Sequence, residues 1–163
     1  MSSSVLETPA PNPARHVLLY WLPTVIWLGV LACFSTDAFS AEHTGRVLWK
    51  LVHLVYGNIS LAAFEHLHFL VRKSAHFFSY GLLSGFAFFA WRATLPELRR
   101  WSARWCILAL LLTLLAGSMD EFHQSFIASR TSTPWDVVID MTGAVFFQMV
   151  IAIVVRRRAS LPE

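Results

Sequence analysis

Four stretches of this 163-residue chain, roughly Val17 to Phe34, Ala75 to Trp91, Arg104 to Met119 and Val137 to Val155, are apolar over most or all of a bilayer-crossing length, about 20 residues of helix. Hydrocarbon offers no water to an open backbone, so each stretch must satisfy its own N–H and C=O groups, as a helix does. No alternating apolar and polar pattern suggests the strands of a barrel. The expected class is all-α: a polytopic membrane bundle of four transmembrane helices. Composition agrees, with 56% of residues hydrophobic and 14% charged, which is far from a soluble domain. The first stretch admits a second reading as a secretory or lipoprotein signal, because Arg15 precedes it and VLAC at Val30 to Cys33 approaches a lipoprotein cleavage site. Its apolar core is long for a signal, Leu31 fits such a site badly and further spans follow, so a retained helix is preferred.

With four spans both termini share a side, and the formal charge of +3 resolves into two unlike sets. Arg15, Arg92, Arg99, Arg100, Arg104, Arg156, Arg157 and Arg158 fall on one side with only Glu7, Glu97 and Glu163. Arg46, Lys50, Arg72, Lys73 and Arg130 fall on the other with seven acids and six of the seven histidines. The positive-inside rule puts the first set, eight basic against three acidic, in the cytoplasm. The protein is thus expected in a bacterial cytoplasmic membrane as a multi-pass chain with both termini inside and its mixed polar set outside. Nothing resembles a basic nucleic-acid-binding tail. Cys33 and Cys106 fall at opposite faces of the membrane, which excludes an intramolecular disulfide, and no Cys/His spacing marks a structural metal.

Residues 1–15, rich in Pro and Ser, read as a disordered cytoplasmic lead-in, and 159–163 as a short cytoplasmic tail. Between Ser35 and Val71, GRVLWKLVHLVYGN places Val47, Leu48, Leu51, Val52 and Val55 at helical spacing, with Arg46, Lys50 and His53 elsewhere on the wheel. That pattern predicts an outer interfacial helix between the first and second spans, with a re-entrant excursion as the alternative. Gly57 and Asn58 end it before a further helical run leads toward Arg72. The many Trp and Phe are expected at the membrane interface and facing lipid.

Three spans carry polar residues at their outer ends. On the second, His68, Arg72, His76, Tyr80 and Ser84 recur every fourth residue, with Lys73 beside them, so a cationic stripe descends one face of the helix into the membrane. The third ends in DEFHQ, bearing Asp120, Glu121, His123 and Gln124, after the small pair Gly117 and Ser118. The fourth opens after Thr133 and Pro134 with Asp136 and Asp140 in its first turns, where the helix dipole favours carboxylates. Ionisable groups at membrane depth face a bundle interior and mark function. A structural alternative stands beside this reading: Arg72, Lys73 and Arg130 nearly balance Asp120, Glu121, Asp136 and Asp140, and a saturated salt-bridge network pinning three helices has the same composition. His53, His66 and His68 read as interfacial, and haem ligation is disfavoured because the histidines cluster at one face.

RKSAHFFSYGLL (Arg72 to Leu83), DEFHQSFIASR (Asp120 to Arg130) and DVVIDMTGA (Asp136 to Ala144), in this order, resemble the VanZ-like family of bacterial membrane proteins, and FSTDAFSAEHTG (Phe34 to Gly45) is similar to that family's first outer loop. The resemblance covers residues 16–158 as one four-helix membrane domain. It implies as site positions Arg72, Lys73, His76, Tyr80, Asp120, Glu121, His123, Gln124, Arg130, Asp136, Asp140 and Gly143. Ser79 stands where many members have Glu, which weakens any mechanism needing a carboxylate next to His76. Ala128 and Ser129 replace a usual Pro-Gly, which changes a turn. The family implies a place in the cell envelope, and its name comes from a protein linked to resistance to the glycopeptide teicoplanin; it does not imply a reaction.

Two functions fit these residues. The first is an accessory envelope protein whose outer polar pocket binds a membrane lipid or lipid-linked envelope precursor through its anionic headgroup, and the chain holds no nucleophile motif such as GxSxG or HExxH. The second is a membrane-embedded enzyme acting on a phosphate or ester of an envelope lipid: Arg72, Lys73 and Arg130 clamp the anion, His76 or His123 moves the proton, and Asp120 or Asp140 orients it or holds a divalent cation. A transporter is disfavoured by the short chain, the lack of inverted halves and a polar stripe confined to one leaflet. No cofactor other than that divalent cation is implied, and oligomeric state is open.

Overall fold

The computed structural model describes residues 13–95, 97, 101–128, 130 and 132–157, and the described residues form five α-helices and one short 3-10 turn, with no strand among them. The helices are α1 (Pro13–Phe34), α2 (Ala41–Tyr56), α3 (Leu61–Thr94), α4 (Ala103–Gln124) and α5 (Pro134–Arg157), with the turn Asp37–Phe39 between α1 and α2. Residues 1–12 of the expected N-terminal lead-in, Arg99, Arg100, and the 159–163 tail with Arg158 lie outside the described residues. Residues 13–15, expected in that lead-in, are already the first turn of α1. Proline suits this position, since its fixed φ is helical and the N–H it lacks would have no intrahelical partner.

Local chemistry sets the other ends. Ser40 and Ser60 cap α2 and α3 by accepting from His43 N (3.5 Å) and Ala63 N (3.2 Å). Gly57, at φ 71°, ends α2 in the left-handed conformation that glycine adopts without strain. The run after Gly57 and the second span, already joined by the stripe from His68 to Ser84, form the single 34-residue α3. No Gly or Pro interrupts it between Leu61 and Tyr80, so nothing breaks the hydrogen-bond ladder.

The helices α1, α4 and α5 are long and apolar enough to cross a membrane alone; α3 joins them when counted with the segment Asp37–Tyr56, from which it is bent by 118°. The polar stripe is what lowers the hydropathy of α3. These four helices make the bundle, and their outward positions, such as Leu18, Val25, Ile107 and Leu115, are exposed hydrophobics suited to lipid. On α2, Val47, Leu51, Leu54 and Val55 are exposed together, the apolar face an interfacial helix lays against acyl chains.

The most extensive helix contact is between α3 and α5. They run parallel, because α4 returns the chain between them, and their partners keep a nearly constant offset: Lys73 with Asp136, His76 with Asp140, and Ser84 with Gln148. Small residues set the spacing. A Cβ at Gly143 would collide with the Phe77 carbonyl, and one at Gly81 with the Phe147 ring. In α1, Trp27 donates to the Ser79 carbonyl and Trp21 to Thr94 Oγ1, both at 2.8 Å, tying α1 along α3. Not all aromatics face lipid as expected: Phe88 and Trp105 are buried in a core with Ala87 and Ala109, and Trp105 donates to the Leu95 carbonyl at 2.8 Å, a partner that lets indole leave the interface.

Candidate functional site

The end of α1, the first half of α3, the end of α4 and the start of α5 meet at one end of the bundle, and the predicted polar residues divide there into two layers. The inner layer lies between α3 and α5. Lys73 Nζ donates to Asp136 Oδ1, and His76 Nδ1 lies 3.0 Å from Asp140 Oδ1. Asp136 and Asp140 are 2% and 1% exposed, so both carboxylates are removed from water, and Asp140 Oδ2 has no hydrogen-bond partner. Gly117 lets α4 approach that oxygen: a Cβ there would lie 3.1 Å from it.

The outer layer is a cavity of about 310 Å³. Arg72, His76 and Tyr80 enter it from the fourth-residue stripe of α3, Asp120 and Gln124 from α4, and Arg130 from the α4–α5 connection. Opposite them stand Leu31, Phe34, Phe39 and Leu48, contributed by α1, the 3-10 turn and α2. The chamber is thus polar on its α3–α4 side and apolar where it meets α1 and α2.

Charge in this cavity is not saturated. Among the described residues, neither Arg72 nor Arg130 has a carboxylate oxygen within ion-pair distance; the pairs formed are Lys73–Asp136, His76–Asp140 and an exposed Arg46–Glu42. Arg130 Nη2 instead donates to the carbonyls of Phe34 and Thr36, and its buried Nε has no partner. Burial, then the positive charge of Arg72, holds the Arg130 guanidinium below its ordinary pKa. Among the described residues, a near-balance of formal charge does not become a closed ion-pair network: Lys73 and His76 have carboxylate partners, whereas Arg72 and Arg130 do not.

The remaining predicted residues stand around the cavity. Asp120 Oδ2 accepts from Gln124 Nε2 at 2.9 Å. Glu121, 6% exposed, is structural in its contacts: Oε2 accepts from Thr133 N at 2.8 Å, and its carbonyl accepts from Ser132 Oγ at 2.8 Å, so it fastens the start of α5. His123 is exposed and does not line the cavity itself, but its Nδ1 lies 3.0 Å from the Oγ of Ser35, a residue of the cavity wall. Of the twelve predicted positions, Arg72, His76, Tyr80, Asp120, Gln124 and Arg130 line the chamber, Lys73, Asp136 and Asp140 back it, and Gly143 lies where α5 meets the α3 backbone. Among the described residues no three His, Cys, Asp or Glu side chains converge as a metal site.

Sequence reasoning missed the wall made by Leu31, Phe34, Ser35, Phe39, Thr44 and Leu48. It also set His68 aside as interfacial, yet this side chain lines the cavity and lies 3.3 Å from Thr44 Oγ1, joining α3 to α2. The fourth-residue stripe and the FSTDAFSAEHTG segment carried the signal for both.

The family model described as VanZ/LLP1 matches residues 20–155, which takes in all four bundle helices and the cavity. No curated protein and no solved structure matches the chain.

Proposed function

The chain belongs to the VanZ/LLP1 family, and from that premise we propose that it is a cell-envelope membrane protein that binds the anionic headgroup of a lipid or lipid-linked precursor in the α1–α4 cavity. One observation carries the reading: two arginines, Arg72 and Arg130, share a chamber without a carboxylate in ion-pair contact, beside an apolar wall. Guanidiniums gathered in this way repel until an anion joins them, and their planar donors suit phosphate. Leu31, Phe34, Phe39 and Leu48 offer the start of an acyl chain a surface to leave water. The site faces outward in the cytoplasmic membrane with both termini inside, as the excess of basic residues at the other end supports. The link to glycopeptide resistance follows from resemblance: a protein that holds lipid-linked headgroups alters what a drug reaches at the surface.

Lipid binding to purified protein tests this. Phosphatidylglycerol is expected to bind at least tenfold more tightly than phosphatidylcholine, and Arg72→Ala with Arg130→Ala to remove most of the difference, on the scale of one charge-assisted hydrogen bond each. Equal affinity for the two lipids sinks the reading. For orientation, in a Cys33→Ser, Cys106→Ser background a membrane-impermeant maleimide applied to intact cells should label His43→Cys and spare Arg104→Cys; the reverse pattern inverts the topology.

The dyad His76–Asp140 favours a second reading, an enzyme acting on an ester or phosphate of such a lipid. A buried carboxylate fixing one imidazole nitrogen leaves the other for general acid–base work, and His76 lines the cavity. Turnover of envelope lipids that disappears in folded His76→Ala supports it, and no turnover with any envelope lipid ends it.

A further inference from the structure

The same chamber that gathers two arginines contains a carboxylate, Asp120. In a site for a bare anion this is a fault, since a fixed negative charge beside the ligand costs affinity. Asp120 is not spent elsewhere: among the described residues no Lys, Arg or His nitrogen forms an ion pair with it. It is also held in position. Gln124, 2% exposed and one turn further along α4, donates its amide to Oδ2 at 2.9 Å. An ionised carboxylate only accepts hydrogen bonds and has about four lone-pair positions to offer, so Gln124 leaves most of its capacity unused.

Resting on the anion-binding reading above, we propose that the ligand is a phosphate-bearing lipid whose headgroup also carries a free hydroxyl, a glycerol or sugar phosphate, and that Asp120 is the acceptor for that hydroxyl. Arg72 and Arg130 take the phosphate, and Asp120 takes the alcohol attached to it. The carboxylate that penalises a bare anion then selects a hydroxylated one. A site built to accept a substrate hydroxyl rejects the analogue without it more strongly than an apolar site rejects an added group.

The experiment measures binding of four lipids to the full-length protein in detergent: phosphatidylglycerol, a polyprenyl-linked sugar phosphate, phosphatidic acid and phosphatidylcholine. The first two are expected to bind about tenfold more tightly than phosphatidic acid, the worth of one hydrogen bond to a charged group, and whichever of the two binds more tightly identifies the source of the headgroup. Asp120→Ala should weaken the hydroxylated lipids and strengthen phosphatidic acid. That crossing of affinities is something neither misfolding nor a purely structural Asp120 produces. Asp120→Asn, which keeps an acceptor for Gln124 but loses the charge, should strengthen phosphatidic acid while costing the hydroxylated lipids less than Asp120→Ala does. If all three anionic lipids bind alike and Asp120→Ala tightens them equally, Asp120 is only a counter-charge and the proposal is overturned while the anion site stands. If none binds more tightly than phosphatidylcholine, the anion site itself is wrong and the proposal goes with it.

Discussion

Toward its Arg104 end the bundle is joined by Phe88, Ala87, Trp105 and Ala109, groups with nothing to pair except one indole N–H. Toward its Asp136 end α3 meets α5 through Lys73–Asp136 and His76–Asp140 and then opens into the cavity. Lipid tails are as apolar as leucine, so burying Phe88 gains contact rather than escape from water. A buried ion pair gains little over a well-packed apolar pair of the same shape. The two ends differ less in strength than in what remains available: the Phe88–Trp105 core carries no charged group, whereas the polar end keeps Arg72 and Arg130 without a carboxylate partner.

Substitutions between these ends bear on that contrast. The largest effect is expected at Gly143, where an added side chain meets the Phe77 backbone rather than a movable ring. Gly143→Leu should part α3 from α5 at the junction of the two regions and abolish folded protein, at a cost above the usual ~1–3 kcal/mol of overpacking; a size-exclusion profile in detergent reads this directly. A monodisperse, normally melting variant would show that the helices are not in backbone contact there. Next comes Asp136→Ala, which strands Lys73 and should cost about 2–3 kcal/mol by thermal unfolding, at or below the low end for a broken buried pair because Lys73 retains some water. The double variant Lys73→Met with Asp136→Leu should recover most of that stability. If the double variant is as unstable as the single, the pair does more than hold helices.

Arg72→Ala is expected to leave stability within the scatter of surface substitutions, about 0.5 kcal/mol, while weakening anion binding by the worth of one charge-assisted hydrogen bond. Destabilisation comparable to Asp136→Ala would place Arg72 in the scaffold and erase the distinction between committed and reserved charge. Smallest is His123→Ala, which loses one partly buried contact with Ser35 and should cost no more than about 1 kcal/mol, with lipid binding unchanged.

Much of the fold is legible because hydrocarbon restricts the options: span length, the Gly57 stop and the amphipathic face of α2 all follow from residue order. The fourth-residue spacing of Arg72, His76 and Tyr80 likewise puts them on one side of a helix before any partner is known. Pairing is not legible in that way. Whether Lys73 or Arg72 meets Asp136 depends on the rotation and depth of α3 against α5, which Gly81 and Gly143 fix by admitting close approach. Sequence spacing also understates the apolar wall, since Leu31, Phe39 and Leu48 look like lipid-facing residues until three separate segments bring them together. The continuity of α3 is legible in part, since its stripe runs unbroken from His68 to Ser84 across the start of the apolar stretch at Ala75.

That continuity bears on how the protein sits in membranes of unequal thickness. At 1.5 Å per residue, 34 residues extend about 51 Å, against roughly 30 Å of hydrocarbon. Tilt absorbs only part of this difference, and the excess stands beyond the acyl chains. Lys73 and His76, bolted to α5 on either side of the same turn, hold the depth of Arg72 relative to the protein, not to the lipid. Bilayer thickness then acts like a tide against a fixed mark: a thin membrane leaves the guanidinium washed by water, and a thick one draws it under.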